Sequence, residues 1–479
     1  MTRTAGGGRG RGRLAAIALL AAALAGGALA ATVSARRAPG TALQPAGLAA
    51  EAAPIGSVSS IWYCPGGPEH DGVTTQLLLA NAAGRAVRAA VLATDASGAQ
   101  GRRTLRLQPH SVSVMDPASL VGGAWLASSV EVAGGAVSAT ELVDGRSGRS
   151  VVQCASGASG RWYFASGSTR TGSTLDVTVA NPTRALAVVD LTFVTASGFT
   201  APAPFQGLVV EPGALRVLTV GTYVQDQASV ASVVAARSGA VVAGEVQSYG
   251  AGGGGGVAPT LGVPAMSPRW VLPSVEDAVG GASELAMFNP SGQRERVVVD
   301  VRLPAGPVQP FTQELGPESV WTLTTSDELR IADQEPYTVE VHATGPGVVV
   351  ERSGSGAPHG PAPWRADDVA VSWLEASATH RWMVAGQASA ALPSTWPKLV
   401  VENPSRQAVR AEVTWWPASG TSSGRAHVRE LRLAALAHAS ITLPIGLAVV
   451  RADGPIAVVG DASPPGAAGA IGIPAVPLR

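Results

Sequence analysis

Gly420-Thr421-Ser422-Ser423-Gly424 has the G-x-S-x-G spacing on which serine hydrolases mount a nucleophile. That elbow needs a strand running into a helix, with Asp and His partners placed to act on the serine. Here the run sits between two strand-like stretches, WWPA and AHVREL, and His427 and His438 follow without the order of roles a triad demands. It reads as a hairpin tip. Gly250, Gly252 and Gly255 satisfy G-x-G-x-x-G after a strand, but VAPTLGVP comes next, and its prolines exclude the helix that would cradle a pyrophosphate. Glu69-His70-Asp71 is the one tight ligand-like cluster, and a stable metal site needs three or four placed ligands, so these residues read as a solvated loop. Paired carboxylates for glycoside cleavage would show as one deviating segment with an insertion, and no such insertion stands out. The sequence therefore leads us to expect no catalytic residue, cofactor or metal.

What does recur is a pair of residues. Trp62, Trp162, Trp270 and Trp382 are each followed 19 to 21 residues later by Asn81, Asn181, Asn289 and Asn403, about once per hundred residues. A period of this kind marks a module used four times. Each repeat opens on an aromatic strand (IWYCPGG, RWYFASG, RWVLPS, RWMVAG), and an alternating strand ends at the Asn, followed in three repeats by Pro182, Pro290 or Pro404. Asn-Pro between apolar runs predicts a hairpin, because Asn can bond its own backbone while Pro fixes φ. A second strand pair is expected to turn at Pro109, Pro212 and Pro317, with Ala437 in the proline position of the fourth repeat. A closing hairpin with a Gly-rich turn is expected to end on Glu141, Glu245, Glu351 and Asp461.

Seven or eight short strands in ~100 residues with no amphipathic helix predict an all-β chain of four tandem Ig-like β-sandwiches. The alternative is a β-propeller with two blades per repeat. The expected boundaries are a signal peptide or signal anchor at 1–33, an Ala/Pro-rich spacer at 34–54, and sandwiches at 55–157, 158–262, 263–356 and 381–479. A linker with an extra edge strand is expected at 357–380. The recurring Trp and acid could also form a sugar-binding platform repeated four times. The competing reading is that Trp fills each core and the acid at a strand end pairs with the Arg before the Trp.

Trp162-Tyr163-Phe164-Ala165-x-Gly167, the Asn181-Pro182 turn, Glu211-Pro212-Gly213 and the hairpin ending in Glu245 resemble the tandem module of a family of exported bacterial proteins, actinobacterial ones included, catalogued as a domain of unknown function. The resemblance runs from residue 55 to the C-terminus and weakens in the fourth repeat. It implies an exported array of the cell envelope and supplies no catalytic residue.

Export is also written in the N-terminus. Arg3, Arg9, Arg11 and Arg13 precede an uncharged stretch from Leu14 to Val33, with Ala28-Leu29-Ala30 as a small-residue cleavage site. Twenty uncharged residues also suffice for a single membrane span, so cleavage and retention both fit. Cys64 and Cys154, the only cysteines, form an even pair without Cys-x-x-Cys spacing, which in an exported chain predicts a disulfide. Closing that loop removes about 4 to 5 kcal/mol of unfolded-state entropy in the chain-entropy model. Formal net charge is zero and charged residues make up 14%, which excludes nucleic acid as a partner. The functional expectation is a non-enzymatic envelope scaffold with an unidentified protein or glycan partner, and the alternative is a carbohydrate-binding array. Reducing the Cys64–Cys154 disulfide is expected to destabilise the first unit and leave the others folded.

Overall fold

In the first repeat eight strands make two four-stranded antiparallel sheets. The strands are β1 (Ser60–Pro68), β2 (Thr74–Asn81), β3 (Val87–Asp95), β4 (Gln100–Leu107), β5 (Ser111–Met115), β6 (Trp125–Val132), β7 (Val137–Gly145) and β8 (Gly148–Gln153). One sheet has the order β1-β6-β3-β4 and the other β5-β2-β7-β8. The two pack face to face around Trp62, Leu77, Leu79, Val91 and Val130, so the repeat is a β-sandwich. β2 pairs β5 in one sheet and β3 pairs β6 in the other, the interlocked strand pairs of an Ig-like core. The other three repeats have the same paired-sheet plan, and the fold is all-β, with only single turns of 3₁₀ helix besides strands among the described residues. This computed structural model describes residues 49–145, 148–249, 256–275, 282–331, 337–355, 365–369, 371–372, 380–386, 398–418, 425–444, 446–461 and 472–478. The export segment, most of 357–380, the serine run 420–424 and Gly250, Gly252 and Gly255 lie outside the described residues. No described helix is long and apolar enough to cross a membrane.

Three expected hairpins are corners between sheets. β2 and β3 lie in different sheets, as do β4 and β5, and β6 and β7. The Asn-Pro, proline and Gly-rich turns therefore carry the chain across the core, because each strand finds its ladder partners elsewhere in the repeat. Adjacent hairpins remain at β3–β4 and β7–β8. At the proline corner the residue after Pro is left-handed: His110 (φ 47°), Gly213 (φ 73°) and Glu318 (φ 49°). This fits a type II turn, with Pro at its first central position. In the fourth repeat Leu436 (φ 57°) is the left-handed residue, so Ala435, not Ala437, holds the proline position.

The four sandwiches do not stand apart. Residues 48–479 are one body, in which the first sheet of each repeat packs on the second sheet of the next. β1 lies on Ser173–Ala180 and Val242–Tyr249, and Arg161–Phe164 lies on Val349–Ser355. Arg269–Val275 lies on Lys398–Glu402 and Ala457–Asp461, and Gly446–Ala452 returns to β5. The fourth strands of the second sheets meet in a cycle: β8 touches Val257–Leu261, which touches Arg365–Val369, then Gly472–Pro474, then β8 again. Contacts of this kind link the four sandwiches in a closed cycle, and the paired sheets are those of the sandwich reading. In repeats 3 and 4 the chain beyond the fourth strand crosses to the first sheet, where Val371–Ser372 pairs with Trp270 and Val271 and Val476–Pro477 pairs with Trp382 and Met383. In repeats 1 and 2 single bridges, Tyr63 to Ala155 and Tyr163 to Val263, do the same.

The ends of the chain seal the ring. Ala52 donates its N–H to the Pro477 carbonyl at 2.8 Å and forms a parallel bridge with Leu478. Ala136 and Ser156 donate to the carbonyls of Ala53 (2.8 Å) and Ala49 (2.9 Å), and Gln153 Nε2 reaches the Ala475 carbonyl at 3.0 Å. The part of the expected spacer at 49–54 is therefore built into the fold. Cys64 on β1 and Cys154 just beyond β8 are bonded and tie the two sheets of repeat 1 together. Because repeat 1 is packed on both neighbours, we expect one cooperative unfolding transition in calorimetry, shifted down as a whole on reduction. Separate transitions, with only one responding to reductant, would contradict the closed ring.

Candidate functional site

All four Trp side chains are buried, between 0% and 2% exposed. Each indole N–H donates to the carbonyl where its repeat's seventh strand begins: Val137 (3.0 Å), Val241 (2.7 Å), Val348 (2.9 Å) and Ile456 (2.8 Å). An indole in a core needs such a partner, and this one pins the first sheet to the second. None of the four offers a face to a sugar ring.

The four Asn side chains are as deeply buried and act alike. Each Nδ2 donates to the carbonyl four residues on: Arg85 (2.9 Å), Ala185 (2.8 Å), Gln293 (2.7 Å) and Gln407 (2.7 Å). The same amide reaches the proline corner, at Gln108 (2.8 Å), Val210 (2.9 Å), Gly316 (2.8 Å) and Ala434 (2.8 Å). Each Oδ1 accepts the N–H two residues on, from Ala83, Thr183, Ser291 and Ser405. The two corners noted separately in the sequence are thus bonded to each other through one side chain.

The terminal acids are not one set. Glu141 pairs with Leu77 and Glu245 with Val177, equivalent positions four residues before the repeat's Asn, whereas Glu351 pairs with Ala286, three before Asn289. A shift of one residue turns a side chain to the other face of the sheet. Glu351 accordingly points out of its repeat, and its Oε2 accepts the backbone N–H groups of Ala165 (3.0 Å) and Ser166 (3.1 Å) in repeat 2. Asp461 pairs with Lys398, one residue further along, and the expected pairing of these acids with the Arg before the Trp does not occur in repeat 3. There Arg269 pairs with Glu340.

Two clusters of buried charge stand out. At the mouth of repeat 1, burial pushes the Glu141 carboxyl up to about 8, with the neighbouring Glu69 adding to the rise. Burial also raises Glu69, against the pull of the Thr75 N–H, which reaches its carboxylate at 2.6 Å. His70 and Asp71 lie beside them, 3.0 Å apart and exposed, with the His70 ring 5.5 Å from Trp125. No group of three metal-ligating side chains is assembled among the described residues. Between repeats 3 and 4, burial opposes ionisation of Glu340, but His342, Arg269 and Arg302 outweigh it and hold the carboxyl at about 2. Glu402 across that boundary is pushed up to about 8 by burial, the field of Arg302 opposing and that of Glu340 reinforcing. The sequence analysis did not single out Glu340, Arg302 or Glu402. Glu402 is the residue before Asn403, where the other repeats have Ala80, Ala180 and Phe288, and that contrast was the available signal.

These arrangements hold the ring together, and no described group brings a nucleophile, a base and an orienting acid within reach of one another. Asn181→Ala would strand the buried Val210 carbonyl and remove the part-buried bonds to the Ala185 carbonyl and from the Thr183 N–H, so we expect a loss of about 1 to 3 kcal/mol in chemical denaturation. Folded Glu141 and Glu402 keep their protons to about pH 8. The unfolded chain releases them near the ordinary 4.5, so stability should fall as pH rises from about 5 to about 8 and level off above, by up to about 1.4 kcal/mol per pH unit per group. Thermal melts of the Glu141→Gln, Glu402→Gln double variant should lack that decline.

A family model described as "Family of unknown function (DUF5719)" matches residues 140–444. No curated protein matches the chain. Among solved structures, the crystal structure of Thermotoga maritima 1070 is 18% identical, aligning over 23% of this chain and 97% of that one with a TM-score of 0.21. The crystal structure of a tetra-tandem repeat in the extending region of a large adhesion protein is 13% identical, over 86% of this chain and 94% of that one, with a TM-score of 0.12. Likenesses this weak carry neither fold nor function across.

Proposed function

We infer the role of this protein from the premise that it belongs to the DUF5719 family, whose function is unknown, and propose that it is an exported, non-enzymatic interaction scaffold of the cell envelope. The carrying observation is that the recurring Trp and Asn residues are buried and spent on holding together the two sheets and the corners of each sandwich. What remains for partners is the rim, where the outermost strands are largely exposed, as in β4 and in His427–Leu433 of repeat 4. The buried disulfide supports an oxidising compartment, since such bonds are rare in the cytosol. Its position within the seal between chain ends also suits a body held from its N-terminus, because residues 49–54, soon after the apolar stretch, are clamped into the ring.

Protease shaving of intact cells, with non-reducing electrophoresis of the released chain, tests this reading. We expect the protein to be accessible from outside, with Cys64 and Cys154 oxidised. A protected chain with two free thiols would overturn it.

A further inference from the structure

Arginines stand opposite one another on the rim of repeat 1. Arg88 on β3 is the direct cross-strand partner of Arg106 on β4, and both are exposed. Like charges directly opposite on one sheet face destabilise it. The same face continues along β4 through Thr104 to Arg102, two residues per step of ~6.7 Å. Arg102 pairs with Glu131 at 2.9 Å but keeps 60% of its side chain exposed. Neither Arg88 nor Arg106 has an acid within ion-pair distance among the described residues.

The other repeats supply internal controls at the same ladder position. Repeat 2 has Val188 opposite Val209, and repeat 3 has Arg296 opposite Glu314. Repeat 4 keeps Arg410 opposite Arg432, but Glu412 and Glu430 come next on that face and offset them. In repeat 1 the corresponding neighbours are Ala90 and Thr104, and the acid on that face, Glu131 opposite Ala90, is engaged by Arg102. Repeat 1 therefore sets three arginines, Arg88, Arg102 and Arg106, against the single acid Glu131 on this face, a surplus of positive charge that an anionic partner would relieve.

We propose that this row binds an extended, soluble polymer strand bearing repeated oxyanions, such as a phosphodiester- or carboxylate-linked envelope polymer. Arginine forks match both phosphate and carboxylate. The placement favours a strand over a flat bilayer, because the row lies on the sheet face that looks toward repeat 2. Tyr63 of that face packs into the repeat 2 core, and Gln100 at the end of the row reaches the Gly213 carbonyl at 3.4 Å. The row therefore runs along a crease between two repeats. This deepens the scaffold reading by naming a partner class, and rests on it.

The test is titration of the purified exported chain with poly(glycerol phosphate), with polygalacturonate, and with vesicles containing anionic lipid. We expect binding to at least one soluble polymer, weakening steeply with salt, and preference between the two identifies the oxyanion. Arg88→Ser with Arg106→Ser should weaken it on the order of tenfold or more, whereas Arg296→Ser should leave it unchanged. Arg88→Glu should abolish binding while leaving the melting temperature equal or higher without polymer, since it removes the like-charge pair; this separates lost binding from lost folding. Binding to vesicles alone, to neither polymer, or with equal affinity by the double variant would overturn the proposal. A negative result with a surface-exposed chain would leave the scaffold reading in place.

Discussion

The structure depends on one constraint: strands of its second sheets are buried on both faces, so each of those sheets needs two partners. β7 is buried along almost its whole length, and Val257–Leu261 along all of it. A single sandwich covers only one face of each of its sheets. Stacking sandwiches end to end would leave a bare apolar face at each terminus, whereas a ring leaves none. Closure is therefore the arrangement that removes the most apolar surface from water, and apolar clusters bridge the repeat boundaries accordingly. The junction of last and first repeats differs only in needing help, because the chain is cut there. Residues 49–54 and the strand at Val476–Pro477 supply it.

Inside that frame, Trp and Asn solve the same difficulty at two places. A chain that crosses between sheets three times per repeat leaves backbone groups at its corners without ladder partners, and in a buried corner water cannot replace them. The Asn amide serves two corners at once, and the indole N–H serves a third. These are directional requirements that no aliphatic residue can meet, which is why both residues stay legible while the Val, Leu and Ala around them drift from repeat to repeat.

The same reasoning explains what could not be read. Periodicity identified nearly every strand, but not its sheet, since a two-sheet corner and a hairpin use the same Asn, Pro and Gly. Only the hydrogen bonds from Asn81 to both Arg85 and Gln108 distinguish them. The acids misled for a subtler reason. Aligning Glu141, Glu245 and Glu351 by type ignored one residue of register, and one residue decides whether a carboxylate enters its own core or reaches the N–H groups of Ala165 and Ser166 in another repeat. Glu402 was hidden because its partners are 60 or more positions away in sequence and meet it only after the ring closes.

Pseudo-symmetry then becomes a means of separating folding from function. A residue that recurs at one ladder position in all four repeats is accounted for by the shared frame. A residue that departs from it stands either opposite a complementary charge, as Arg296 does opposite Glu314, or opposite a like one, as Arg88 does opposite Arg106. Stability selection acts on every repeat through the same contacts, so it gives no reason for the exposed Arg88–Arg106 pair, which therefore marks a place to look for function. The ring that makes the four repeats interdependent in folding leaves their rims free to differ, and such differences are where interaction chemistry can be built without disturbing closure.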